Sequence, residues 1–194
     1  LMGLEPDLDR AFEAARDAMS RNPKLALVQE ALSTVHLFKR EHAEAVDTAR
    51  NWIALEPGNA EAYAALAGAL HFSGANHEVI ILIERAMRLN PHFPFWYHFV
   101  LGANQFMLTH YKASVESFTK SISRNPNWQS HRIYLVAAYG HLGLIDEAEW
   151  EMEELRALGF DLSIPRWKAR SQIQDPSYRA RLLEGLRKAG VPNS

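Results

Sequence analysis

Apolar and small residues recur along the chain at helical intervals, and prolines punctuate them at an even distance. Asn22-Pro23, Glu56-Pro57, Asn90-Pro91 and Asn125-Pro126 are separated by 34, 34 and 35 residues. Aligning the stretches between them gives segments that open at Ala26, Ala60, Phe95 and Gln129, with Pro94 as the one inserted residue. The seventh residue of each is a leucine (Leu32, Leu66, Leu101, Leu135), followed at once by Ser33, Ala67, Gly102 or Val136. Thirteen residues after the leucine stands a second, mostly small position: Ala45, Val79, Ser114, Ala148. Leucine fills the seam between two antiparallel helices, and small neighbours let the backbones approach. Proline lacks an N–H and pushes the preceding residue out of the helical region, so it ends the second helix. Each segment therefore predicts a helix, a turn, a helix and a stop. Gly74 and Gly143 suit the turn, whereas Arg40 and Thr109 occupy it in the other two segments.

The predicted architecture is all-α. Residues 26–160 hold four helical pairs, at Ala26–Asn59, Ala60–Phe93, Phe95–Trp128 and Gln129–Phe160. Residues 1–25 supply only a second helix, Asp7–Leu25, with Ala11, Ala15 and Ala18 at its small places. Residues 161–194 leave the period. There Ile164–Gln174 predicts a short helix, and Asp175-Pro176 is a start signal: Asp as N-cap, Pro at the first helical position. Tyr178, Leu182, Leu183 and Leu186 follow at helical spacing until Gly190 and Pro192. An amphipathic helix past the last pair is expected to cap the array, whose terminal members need a polar outer face; the rival is a docking helix for another protein.

This period, with its leucine and small positions, resembles the tetratricopeptide repeat (TPR). The resemblance implies a right-handed superhelical solenoid whose first helices line a concave groove, a surface for protein partners. Tyr63 meets the family's aromatic near the start of the first helix, while Gln29, His98 and Arg132 replace it elsewhere; Tyr139 alone meets the later tyrosine place. The family's groove places, carried over, fall on Leu27, Glu30, Thr34, Leu37 and Phe38, then Glu61, Ala64, Gly68, His71 and Phe72. Next come Trp96, Phe99, Ala103, Phe106 and Met107, then Ser130, Ile133, Ala137, Gly140 and His141. None is Lys or Arg, which disfavours a clamp for acidic chaperone tails. Leu37, Phe38, His71, Phe72, Trp96, Phe99, Phe106 and Met107 instead offer aromatic and apolar side chains of the kind enriched at interface centres. The expectation is a groove for an apolar helix or extended peptide, unless the chain itself covers these aromatics.

Composition changes the picture mainly by exclusion. Cysteine is absent, which removes disulfides and thiolate chemistry. Nine histidines invite a metal, but no pair stands three or four apart on a helix, and no HExxH occurs. No GxGxxG, P-loop or GxSxG is present. Catalytic, cofactor and metal sites are not expected. The net charge of −2 favours no nucleic acid, and no apolar run suits a membrane. Charge is nonetheless uneven: Asp146–Glu154 holds six acidic residues in nine, whereas Ile164–Ser194 holds seven basic and two acidic ones. The plain expectation is a tail that folds back beside the acidic helix or stays solvated.

The stretch from Asp175-Pro176-Ser177-Tyr178-Arg179 through Leu182-Leu183-Glu184-Gly185-Leu186-Arg187-Lys188-Ala189-Gly190-Val191-Pro192 is similar to the end of TPR regions that follow the catalytic domain in bacterial class III adenylate/guanylate cyclases. That implies a regulatory or localising module, binding a partner or self-associating as a homodimer, with the cyclase chemistry outside this chain. A start at Leu1, half a repeat there and no export signal suit a piece of a longer cytoplasmic protein. The alternative is a free-standing TPR scaffold or chaperone cofactor.

Overall fold

The computed structural model describes residues 5–22, 25–73, 76–171, 173 and 175–193, and every regular element among them is a helix. The chain divides into two compact halves, Leu1–Phe93 and Pro94–Ser194, so the division falls at the one residue that interrupts the repeat count. The first half comprises α1 (Glu5–Arg21), α2 (Ala26–Lys39), α3 (His42–Leu55), α4 (Ala60–Ser73) and α5 (Asn76–Leu89). The second comprises α6 (Phe95–Met107), α7 (Tyr111–Arg124), α8 (Gln129–Leu142), α9 (Ile145–Ala157), α10 (Ile164–Arg170) and α11 (Pro176–Lys188).

The first helices begin at Ala26, Ala60, Phe95 and Gln129, where the sequence opens each repeat. The second helices α3, α5 and α7 end two residues before Pro57, Pro91 and Pro126; Pro23 lies outside the described residues. The residue ahead of proline leaves the helical region as expected, with Glu56 at φ −134 and Asn125 at φ −146. Asparagines then shape the connections: Asn59 Oδ1 accepts from Glu61 N at the start of α4 at 2.9 Å, and Asn90 Oδ1 accepts from His92 N within the turn after α5 at 3.0 Å.

Every small place is buried: Ser33, Ala67, Gly102 and Val136 in the first helices, Ala45, Val79, Ser114 and Ala148 in the second. Leu32, Leu66 and Leu135 are buried with them, but Leu101 is only half-buried. In that repeat Phe118 closes the seam. It is fully buried over Gly102, where a Cβ would stand 2.9 Å from its ring. The turns show that the repeat geometry overrides residue preference. Arg40 and Thr109 both adopt φ 63, close to the φ 73 of Gly143, although a side chain there costs about 1–2 kcal/mol. Gly74 lies outside the described residues.

In the tail, Asp175 caps α11 by accepting from Tyr178 N at 2.8 Å, with Pro176 in the first turn. Helix α10 stops at Arg170, short of the expected Gln174, which itself is outside the described residues. Ser171 explains the early end: its hydroxyl accepts from Ile173 N and its backbone is extended (ψ 129), an alternative to continuing the helix.

Candidate partner-binding site

In repeats two and four the fourth residue of the first helix anchors that helix to the turn before it. In repeat two, the Tyr63 hydroxyl donates to the Pro57 carbonyl at 3.0 Å, and the Arg85 guanidinium lies 4.4 Å from the ring centroid. In repeat four, Arg132 Nε donates to the Pro126 carbonyl at 3.5 Å. Its two terminal nitrogens reach α9, bonding Glu151 and, at 3.1 Å, Glu154. Arg132 and Glu151 are both buried. Burial pushes the Glu151 carboxyl up, against the downward pull of Arg132. In repeat one, Gln29 Nε2 reaches Met19 Sδ of α1 at 3.4 Å. In repeat three, burial, with Arg124 and Lys120, lowers His98 to about 4. The polar residues that depart from the family pattern are thus seated in the aromatic's place.

Among the eight residues expected at the groove, His71, Phe106 and Met107 are buried, while Leu37, Trp96 and Phe99 are half-buried. The side chains of Phe38 and Phe72 lie outside those described. Phe106 is fully buried and packs edge-on against Tyr111, Tyr134 and His141. Phe99 fits edge-on between Trp128 (4.6 Å) and Tyr134 (5.2 Å). Trp96 makes its ring contact with Tyr97 at 4.4 Å.

Beyond these aromatics, α11 lies along α8. Helix backbones touch there: a Cβ on Gly140 would run into the Gly185 carbonyl oxygen, and one on Gly185 into the Ala137 carbonyl oxygen. His141 Nε2 donates to the Arg181 carbonyl at 2.9 Å, and its ring stacks on Tyr111 at 4.4 Å. Arg181 donates to the Met107 carbonyl at the end of α6. Tyr178 packs edge-on against Tyr134, whose hydroxyl burial pushes up to about 12. Leu182 and Leu186 are fully buried in the same core. The tail therefore seals Ala137, Gly140, His141 and the C-terminal end of α6. The first turns of α6 and α8 keep Trp96, Phe99, Ser130 and Ile133 half-exposed. Small Gly140 and Gly185 were the available sequence signal, because glycines in register on two helices permit backbone contact.

One buried group carries a proton preference. Ser121 Oγ donates to the Phe95 carbonyl at 3.1 Å, so His131 Nδ1–H donates to Ser121 (3.2 Å) and Nε2 is left bare and without a hydrogen-bond partner. Burial, then Arg132, lowers His131 to about 4. No group of three or more His, Asp or Glu able to hold a metal occurs among the described residues. No described helix is long and apolar enough to cross a membrane.

No family model and no curated protein matches the chain. Solved structures do. The crystal structure of MamA aligns over 86% of this chain and 94% of its own, at TM-score 0.67 and 21% identity. YrrB, described as a TPR protein with an unusual peptide-binding site, aligns over 91% of this chain and 90% of its own, at TM-score 0.63 and 17% identity. TTC0263, a thermophilic TPR protein of Thermus thermophilus, aligns over 96% and 94%, at TM-score 0.65 and 18% identity. With its helix pairs repeating at the observed interval, the chain has the fold of the tetratricopeptide-repeat proteins.

Proposed function

We propose that the chain is a non-catalytic protein-interaction module that holds an apolar segment of a partner against the first turns of α6 and α8. The observation that carries this reading is the uneven covering of that face. Helix α11 seals its far end, yet Trp96, Phe99 and Ile133 retain accessible surface at the near end. Partly exposed aromatic side chains on a rigid helical frame are what interface centres use, and helix-in-groove docking needs an apolar strip of this kind. The absence of Lys and Arg from the groove places points to an apolar rather than an acidic segment. YrrB, which shares the fold, is described as having a peptide-binding site, and that supports a peptide role for this face.

The finer reading is that the module serves a cyclase-like signalling protein of the bacterial cytoplasm as its C-terminal region. It rests on the likeness of Asp175–Pro192 to the ends of such regions. A second copy of the chain is the first partner to test. Light scattering over a concentration range, with a Trp96→Ala, Ile133→Ala variant beside the wild type, addresses this directly. A dimer that the variant loses places self-association on this face. Monomers in both cases turn the test to partner pull-down, where equal recovery by wild type and variant sinks the reading.

A further inference from the structure

On the outer side of α9, Trp150 is 61% exposed. The repeat does not require a hydrophobe there. The same register place holds Asp47 in repeat one, Ile81 in repeat two and Glu116 in repeat three, and all of these are exposed. An indole in this place buries little of itself in the fold, so packing does not account for it.

Its surroundings are anionic. Residues three and four positions away on a helix share its face, and for Trp150 these are Asp146, Glu147, Glu153 and Glu154. Glu154 is engaged by Arg132, and Glu151 is turned inward to the same guanidinium. Asp146, Glu147 and Glu153 are exposed, and no ion pair involves them among the described residues. The basic tail does not answer them. Four of its cations turn elsewhere: Lys188 to Glu184 (2.7 Å), Arg181 to the Met107 carbonyl, Arg179 to the Ile173 carbonyl and Arg166 over the Phe160 ring.

An indole face ringed by carboxylates suits a cation. Guanidinium and ammonium groups are attracted to the face of Trp more than to any other side-chain ring, and neighbouring carboxylates add ion pairs and exclude anionic partners. From this charge complementarity we infer that the outer face of α9 docks an Arg- or Lys-rich segment of a partner protein, with one cationic side chain over Trp150 and its neighbours paired to Asp146, Glu147 and Glu153. This surface is separate from the face of α6 and α8 and does not depend on it.

The test uses the whole chain and a fluorescein-labelled peptide of alternating Arg and Ala, with Glu-for-Arg as its counterpart. Fluorescence anisotropy is expected to show salt-sensitive binding of the Arg peptide alone. Trp150→Ala should weaken it by about tenfold, and Trp150→Phe should recover most of the loss, because an aromatic face remains. Glu147→Gln with Glu153→Gln should weaken it as well. All these positions are exposed, and circular dichroism checks the fold of each variant. Equal binding by wild type and Trp150→Ala would reduce the effect to general charge attraction and overturn the inference, as would no binding at all. Concentration-dependent self-association that Trp150→Ala abolishes would assign the face to a second copy and equally overturn it. Trp96→Ala should leave the Arg peptide's affinity unchanged, which separates this surface from the apolar one.

Discussion

At the fourth residue of its first helix, repeat two carries Tyr63 and repeat four carries Arg132, and each donates to the carbonyl of the proline six residues earlier. The partners on the second helix also correspond. Leu82 and Arg85 in repeat two stand where Glu151 and Glu154 stand in repeat four. One repeat therefore joins its helices through a buried ring capped by a cation; the other uses a buried cation held by two carboxylates. The backbone demand is the same in both, a donor at the preceding turn. What differs is the consequence of losing a partner. A ring left without its cation stays in an apolar site, whereas a guanidinium left without its carboxylate is a buried charge.

The largest effect should come from breaking that ion pair. Glu151→Ala leaves the buried Arg132 with the half-exposed Glu154 alone and is expected to lower stability by about 3 kcal/mol in urea unfolding, the low end for a broken buried pair. Importing the arrangement of repeat two, Arg132→Tyr with Glu151→Leu and Glu154→Arg, should recover most of this, because apolar replacements of buried ion pairs are often neutral or stabilising. A triple variant as unstable as Glu151→Ala would show that the two repeats are not equivalent frames.

Next in size is a dependence on acid. Repeat four buries His131 where repeat two has Ala62. Folding lowers His131 from 6.5 to about 4, so the folded state prefers the neutral ring. Its contribution is whole above pH about 6.5 and is lost as pH falls toward 4, by roughly 3 kcal/mol in all. Melting temperatures followed across this window should fall for the wild type. His131→Ala should be less stable at neutral pH yet show a shallower acid slope; an unchanged slope would remove His131 as the cause.

A glycine pair sharpens the contrast between the halves. Gly140→Ala drives a Cβ into the backbone of α11 and should cost about 1–3 kcal/mol, with loss of tail packing. Gly68→Ala meets nothing within 4 Å and should stabilise α4 by up to about 1 kcal/mol. Limited proteolysis would report release of α11 in the first variant and no change in the second. The smallest effect concerns Thr109, whose positive φ disfavours a branched side chain. Thr109→Gly should raise stability by about 1 kcal/mol, seen as a higher melting temperature.

The order and register of the helices were legible because the signals are local. Prolines stop helices through their own ring, Asp175 caps through its own carboxylate, and small residues mark close approach wherever the period recurs. Leu101 departs because a residue of the facing helix, Phe118, fills the seam ahead of it, and one helix's pattern does not reveal what the other helix presents. The groove was harder to read for the same reason. Phe106 and Met107 occupy groove places in the repeat pattern, yet Phe106 is covered by Tyr111, Tyr134 and His141 of the next two helices, and the Met107 carbonyl is met by Arg181 of α11, some seventy residues further along the chain.

From the sequence alone, then, come the helical period, the turn positions, the caps and the absence of cationic residues along the groove places, all set by neighbours within a few residues. Tertiary structure alone decided which aromatics remain accessible, that Arg132 finds its carboxylates on α9, and that the basic tail lies on α8 and leaves the acidic face around Trp150 open. Those outcomes turn on backbone contact between distant helices and on the cost of burying a charge without its partner. Neither can be read from spacing along one helix.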